Sequence, residues 1–215
     1  MKINRFLFEN SANLISMVRI FLVFVIILLF NSPVLTFKIL GLIFLFIIVW
    51  LDWLDGYLAR RLNISSNIGG LLDTLSDRIT ENLFLVFFAY RRLIPIWVPL
   101  IFIARSFCAD FIRYLNFSEG IGTFAINKSK LGFYIVASKT SRVIYLLCKF
   151  FIFYLGAILI IMQDLNVESQ KQIFIVLKYI LLYSSIFLVI LNLMRFIFLI
   201  YDSRFILKKK LIKEI

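Results

Sequence analysis

The sequence predicts an all-α integral membrane protein with six transmembrane helices and an N-terminal interfacial helix. Three observations lead there. Of the 215 residues, 62% are hydrophobic and the mean hydropathy is +0.99, against roughly 45–50% apolar residues in soluble domains. Only 17% of residues are charged, too few to cover a water-facing particle. The apolar runs reach the ~20 residues that a helix needs to cross a bilayer, so this length accommodates about six spans and no separate soluble domain.

Residues 1–12 (MKINRFLFENSA) mix apolar and charged positions and are expected to lie on the membrane surface as an interfacial helix. Ser11 and Asn13 are candidate caps for the first span. That span runs from Asn13 to Phe30, interrupted only by Ser16 and Arg19, and is broken by Asn31-Ser32-Pro33. The second runs from Val34 to Ala59 and ends in LDWLDGYLARR, where charges replace the Ile/Leu/Phe run. The third, from Gly69 to Ala89, opens with more carboxylates, and Arg91, Arg92 and Pro95 mark its end. The fourth covers Ile96 to Leu115, and residues 116–130 form the longest polar connection. The fifth covers Leu131 to Met162, the sixth Ile173 to Tyr201, and 202–215 is a basic tail. The membrane domain thus occupies 13–201.

The absence of histidine removes imidazole bases, Ser-His-Asp and Cys-His catalysis and His-ligated metals. Cys108 and Cys148 fall in apolar runs and are expected to be buried thiols rather than a disulfide. The net charge of +12 fits loops facing anionic lipid, not nucleic acid. Six spans place Lys2, Arg5, Arg60, Arg61, Lys128, Lys130, Arg204, Lys208, Lys209, Lys210 and Lys213 on one side, against Lys38, Arg91, Arg92 and Lys171 on the other. Positive charge is retained inside, so both termini and the acidic ends of spans two and three are expected in the cytoplasm. For a bacterial protein this is the inner or plasma membrane.

Asp52, Asp55, Asp73, Asp77, Arg78 and Glu81 lie at or within the ends of two spans, where each ionisable group costs about 2.5–3.5 kcal/mol unless hydrated, paired or metal-bound. Asp52 and Asp55 are i,i+3 and Asp73 and Asp77 are i,i+4, so each pair stacks on one helix face. One or two divalent cations would keep all four ionised, and hard oxygen donors without His or thiolate favour Mg²⁺, Mn²⁺ or Ca²⁺. The plainer alternative is that the acids cap helices or pair with Arg60, Arg61 and Arg78. Gly56 and Gly69 allow close backbone approach, Ala59 is small and Arg60 suits a phosphate. Acids, small residues and Arg together describe metal-dependent phosphoryl transfer. A transporter or ion channel is the competing class for intramembrane acids.

The run Asp52-x2-Asp55-Gly56-x2-Ala59-Arg60-x8-Gly69-x3-Asp73-x3-Asp77 resembles, at all eight positions, the signature D-x2-D-G-x2-A-R-x8-G-x3-D-x3-D of the CDP-alcohol phosphotransferase family. The resemblance implies a homodimeric six-helix enzyme that moves a phosphatidyl group from CDP-diacylglycerol to an alcohol and releases CMP. By position it assigns Asp52, Asp55, Asp73 and Asp77 to Mg²⁺ or Mn²⁺, as a pair of ions, with Asp77 also the base for the acceptor hydroxyl. Gly56, Ala59, Arg60 and Gly69 would line the CDP site. Asn13-x2-Ser16-x2-Arg19 is similar to the family's first-helix element N-x2-T-x2-R, with Ser in place of Thr, which adds Asn13 and Ser16 to the CDP site. Taken without the family, Asn13 is a cap and Arg19 a residue that snorkels to the interface. A family member that binds lipid without catalysis is a further alternative.

Arg105, Arg113, Lys128, Lys130, Lys139 and Arg142 surround the 116–130 connection, several within apolar runs. Cations there suit an acceptor that carries phosphate, and Arg105, Arg113, Lys130, Lys139 and Arg142 are its candidate ligands. NLISMVRIFLV and IPIWVPLIFIARSF resemble the phosphatidylglycerophosphate synthase branch, whose acceptor is glycerol 3-phosphate. LDTLSDR departs from that branch's usual Pro after the third Asp and Lys after the fourth, and its Asp77-Arg78 is similar to inositol-phosphate and phosphatidylinositol synthases.

Overall fold

The structure is a computed structural model that describes the backbone of residues 2–61, 67–117, 129, 132–165 and 171–213. Side chains are described for these except 2–13, 52–61, 67–71, 117, 133, 137, 139 and 205–213. Among the described residues six α-helices occur in order: α1 (Lys2–Asn31), α2 (Leu35–Arg61), α3 (Asn67–Tyr90), α4 (Trp97–Phe117), α5 (Lys139–Leu165) and α6 (Lys171–Lys213), with a π-helical turn at Phe133–Ala137 before α5. No strand occurs among the described residues. The chain divides into two compact units, Met1–Leu93 with Tyr154–Leu177, and Ile94–Phe153 with Lys178–Ile215.

Three helical stretches are long and apolar enough to cross a membrane, Leu14–Asn31, Tyr134–Leu165 and Lys171–Arg204, and Leu35–Leu51 is a shorter apolar helix. The chain is a multi-pass membrane protein. α3 carries four charged residues and α4 three, which is why these two fall short as spans by composition although each is long enough at ~1.5 Å per residue to approach the ~30 Å hydrocarbon core. Large apolar side chains point outward, among them Phe21, Leu28, Phe107 and Tyr114, as expected where lipid rather than water is the solvent.

The helix ends have local causes. Pro33 has no amide hydrogen, and Ser32 Oγ accepts the Val34 amide at 3.2 Å, separating α1 from α2. α3 ends in a Schellman arrangement: the Arg92 amide donates to Ala89 O at 2.9 Å and the Leu93 amide to Phe88 O at 2.9 Å. Arg92 occupies the left-handed position, φ 57°, usually given to glycine. α5 starts at Ser138, whose Oγ accepts the Ser141 amide at 3.2 Å as an N-cap, while Ser138 O takes the Arg142 amide at 3.2 Å.

Several expectations are corrected. α1 is unbroken over 30 residues, because residues 2–12 contain neither Gly nor Pro to stop it, so Ser11 and Asn13 sit inside it rather than capping it. The fifth span corresponds to the apolar stretch Tyr134–Leu165, which leaves helical geometry at Ser138. α6 continues helical through 202–213, its Lys-rich end being a good helix former. Cys108 is exposed and Cys148 half-buried, both as free thiols. Cys108 shares the outward apolar face of α4 with Phe107 and Phe111, so an apolar run here marks contact with the surroundings, not a core.

In the first unit α1 packs against α2 and α3. Its buried residues include Val23, Ile26, Phe30, Leu45, Ile48, Phe84 and Phe88. Gly156 of α5 sits so close to the Phe88 ring that a β-carbon there would collide with it. In the second unit Ala109 and Ile112 of α4 pack with Leu199 and Phe196 of α6. Asn116 Nδ2 donates there to Ile112 O at 2.7 Å and to the buried Ser203 Oγ at 2.9 Å.

Candidate functional site

The inner face of α3 changes character along its length. Asp73, Ser76, Asp77, Thr80 and Glu81 recur at helical spacing over its first turns, and Phe84, Leu85 and Phe88 continue the same side as an apolar surface. Ser76, Thr80 and Glu81 are buried, as is Arg78. Asp73 and Asp77 are not: their side chains are 48% and 39% exposed. Among the described residues this is the one place where carboxylates stack by i,i+4 and remain partly exposed.

Both acids pair with Arg19 of α1. Its Nη1 donates to Asp73 Oδ1 at 3.1 Å and its Nη2 to Asp77 Oδ1 at 2.6 Å. Arg19 is 1% exposed, so it does not snorkel to the interface, and that alternative is overturned. A planar fork spans two carboxylates one helical turn apart, which a point-charge ammonium does less well. The trio carries net −1. Ser16, one turn before Arg19 on the same face of α1, is buried at 3%.

Asp52, Asp55, Gly56, Ala59 and Arg60 lie on α2, and Gly69 in the first turn of α3, but their side chains, like that of Asn13, lie outside the described ones. Among the described residues no group of three or more potential ligands is close enough to hold a metal. The donor chemistry of the described half does fit a hard divalent cation: two partly exposed carboxylates paired with a guanidinium on their buried side.

The candidate acceptor ligands belong to the second unit. Arg105 and Arg113 are on α4, and Arg113 Nη1 lies 3.8 Å from Asp110 Oδ1, the i,i+3 pair its spacing suggests. Arg142 is exposed in the first turn of α5. Lys130 and the side chain of Lys139 lie outside the described residues.

Three arrangements are not signalled by the sequence. In the first unit Asp164 near the end of α5 is gripped by two cations, Lys38 of α2 and Arg91 just past α3, each on its own oxygen. Lys38 is buried at 3%, and Gln163 Nε2 adds a 3.5 Å contact to Arg91 O. Asp164 lies 126 residues from Lys38 in sequence, so no local spacing marks the pair. In the second unit Arg195 of α6 donates to Ile135 O and Val136 O, both at 3.3 Å, and stacks 4.6 Å from the Tyr145 ring centroid. It thereby serves carbonyls of the π-helical turn. Asp202 of α6 accepts the Ser129 amide at 3.3 Å and the Ser129 hydroxyl at 3.1 Å. Gly132 donates to Ser129 Oγ at 3.0 Å, and a β-carbon on it would strike Asp202 and Ser129.

The family model for CDP-alcohol phosphatidyltransferases matches residues 9–208. The chain is 35% identical over 69 residues to a CDP-diacylglycerol–glycerol-3-phosphate 3-phosphatidyltransferase of Bacillus subtilis, a stretch that is 32% of this chain and 36% of that protein. It is 28% identical over 149 residues to the protein of the same name from Rickettsia bellii, covering 64% and 81% of the two chains. It is 44% identical over 55 residues, 26% of each chain, to a cardiolipin synthase (CMP-forming) of Streptomyces coelicolor. The family match embraces nearly the whole chain, including α1 with Arg19 and the acids of α2 and α3, and the chain belongs to the CDP-alcohol phosphatidyltransferase family.

Proposed function

We propose that this protein is a divalent-metal-dependent enzyme of phospholipid synthesis that transfers the phosphatidyl group of CDP-diacylglycerol to glycerol 3-phosphate and releases CMP. The observation that carries the reading is the Asp73–Asp77 pair, stacked on α3, paired with Arg19 and partly exposed on its other side. The names of the Bacillus and Rickettsia relatives supply the acceptor.

Asp52, Asp55, Asp73 and Asp77 would hold Mg²⁺ or Mn²⁺, two ions in the full site, which when bound supply charge to the pyrophosphate and make CMP a better leaving group. Asp77 takes the proton of the acceptor hydroxyl. The freed oxygen then forms a bond to the phosphatidyl phosphorus, the bond from that phosphorus to the CMP oxygen breaks, and Asp77 returns its proton to water. Gly56, Ala59, Arg60, Gly69, Asn13 and Ser16 are assigned to the CDP moiety. Arg105, Arg113, Lys130, Lys139 and Arg142 are the candidates for the acceptor phosphate, on the ground that a phosphorylated acceptor needs cationic donors. Six spans, an N-terminal interfacial segment, a cytoplasmic active site with both termini on that side, and a homodimer complete the proposal. Its support is the charge distribution and the family resemblance.

A second reading has one observation behind it. The match to the Streptomyces cardiolipin synthase makes phosphatidylglycerol an alternative acceptor. The test of both is CMP release by detergent-solubilised protein with CDP-diacylglycerol and Mg²⁺ or Mn²⁺, comparing glycerol 3-phosphate, phosphatidylglycerol, inositol 1-phosphate, inositol and serine. Stimulation by glycerol 3-phosphate is the expected result. Stimulation by phosphatidylglycerol alone would select the second reading. Metal-dependent release with none of them would reject both.

A further inference from the structure

We infer that Arg19 is a positioning residue of the reaction centre: its fork holds Asp73 and Asp77 from their buried side, fixing both carboxylates and lowering their affinity for divalent cations. The inference rests on the assignment of Asp73 and Asp77 to the metal site. A stabilising ion pair in an apolar interior buries both partners, because an exposed partner gains little. Here the burial is one-sided: the side chain of Arg19 is 2% exposed, those of Asp73 and Asp77 48% and 39%. The cation sits behind the anions and leaves their outer surface accessible.

The geometry has two consequences. Each guanidinium nitrogen takes the Oδ1 atom of a different carboxylate, so neither acid rotates about its last torsion without breaking a charge-assisted bond. Fixed carboxylates favour reaction because no reorganisation is needed as charge moves. The guanidinium also cancels one of the two negative charges, so a divalent cation meets a pair carrying net −1 rather than −2. Arg19 thereby exchanges metal affinity for orientation. Its place on α1, whereas the acids are on α3, makes the packing of these two helices part of the site.

The test uses the full chain in detergent, with Mn²⁺ binding followed by electron paramagnetic resonance in the absence of CDP-diacylglycerol and turnover measured separately as CMP release. Arg19→Gln is expected to bind Mn²⁺ about 10-fold more tightly and to turn over about 100-fold more slowly. Arg19→Lys, which restores the charge without the planar fork, is expected to return Mn²⁺ affinity to near wild type while turnover stays at least about 10-fold low. A residue that merely holds the helices together gives the opposite sign, with weaker or unchanged Mn²⁺ binding in the folded Arg19→Gln protein, and that result overturns the inference. So does wild-type turnover in either variant. Absence of Mn²⁺ binding by the wild-type protein would instead remove the metal assignment and this inference with it, while CMP release across the acceptor panel decides the transferase reading separately.

Discussion

Substitution of Asp164 by Ala isolates the energetic weight of the ionic cluster at the far end of the first unit. Lys38 and Asp52 are fourteen residues apart on α2, and Asp77 and Arg91 fourteen apart along α3, so the cluster lies about 21 Å along the helices from the acids. The Lys38 side chain is 4% exposed, Arg91 16% and Asp164 30%. Removing the carboxylate leaves a buried ammonium without its counter-charge, which costs about 3–5 kcal/mol, while Arg91, nearer solvent, adds at most about 1 kcal/mol. The expected loss is therefore about 4 kcal/mol. Replacing the pair by apolar residues of similar volume, Lys38→Met with Asp164→Leu, removes the orphaned charge and is expected to lie within about 1 kcal/mol of wild type. Equilibrium unfolding in mixed micelles, followed by the fluorescence of Trp50, Trp53 and Trp97, reads both numbers. Asp164→Ala within about 1 kcal/mol of wild type, or a double variant as unstable as the single one, would refute the argument that desolvation of Lys38 dominates. CMP release per folded molecule is expected to be unchanged in either variant.

Further expectations concern the site and the backbone. Asp77→Asn keeps an acceptor for Arg19 but neither the base nor the charge, and turnover is expected to fall by about 10²–10⁴ while photo-crosslinking of a CDP-lipid persists. Turnover within a few-fold of wild type would remove Asp77 from that role. Gly156→Ala drives a methyl group into the Phe88 ring and is expected to cost about 1–3 kcal/mol in the same unfolding measurement. Arg92 holds a left-handed backbone, φ 57°. Arg92→Gly is thus expected to be neutral or mildly stabilising, and Arg92→Val to cost about 1 kcal/mol or more. Equal midpoints for these two variants would contradict the Schellman reading of the α3 terminus.

The stacking of the acids on α3 was legible in the chain because it is local. Asp73 and Asp77 are one turn apart on one helix, and helical periodicity alone stacks them. Most helix boundaries were legible for the same reason: Pro33, Arg91 to Pro95 and the polar connections interrupt apolar runs wherever the helices stop. The caps read at Ser11 and Asn13 failed because charged and polar residues without Gly or Pro do not end a helix. Lys38 and Arg91 were read as interfacial charges that report orientation, whereas each is engaged by Asp164. Counting positive charge by position cannot see a counter-charge supplied by a distant helix.

Membrane character, helical class and the pairing of acids followed from composition and near-neighbour spacing, which act over a few residues. The identity of the cation behind those acids, the two-handed grip on Asp164 and the use of Arg195 to satisfy carbonyls beside the π-helical turn did not. Each joins residues between 54 and 126 positions apart, and helix periodicity says which face a side chain occupies but not which helix meets that face. Only the packing of α1 on α3 put Arg19 behind Asp73 and Asp77, because a buried guanidinium in an apolar unit is tolerated only where carboxylates on another helix meet it.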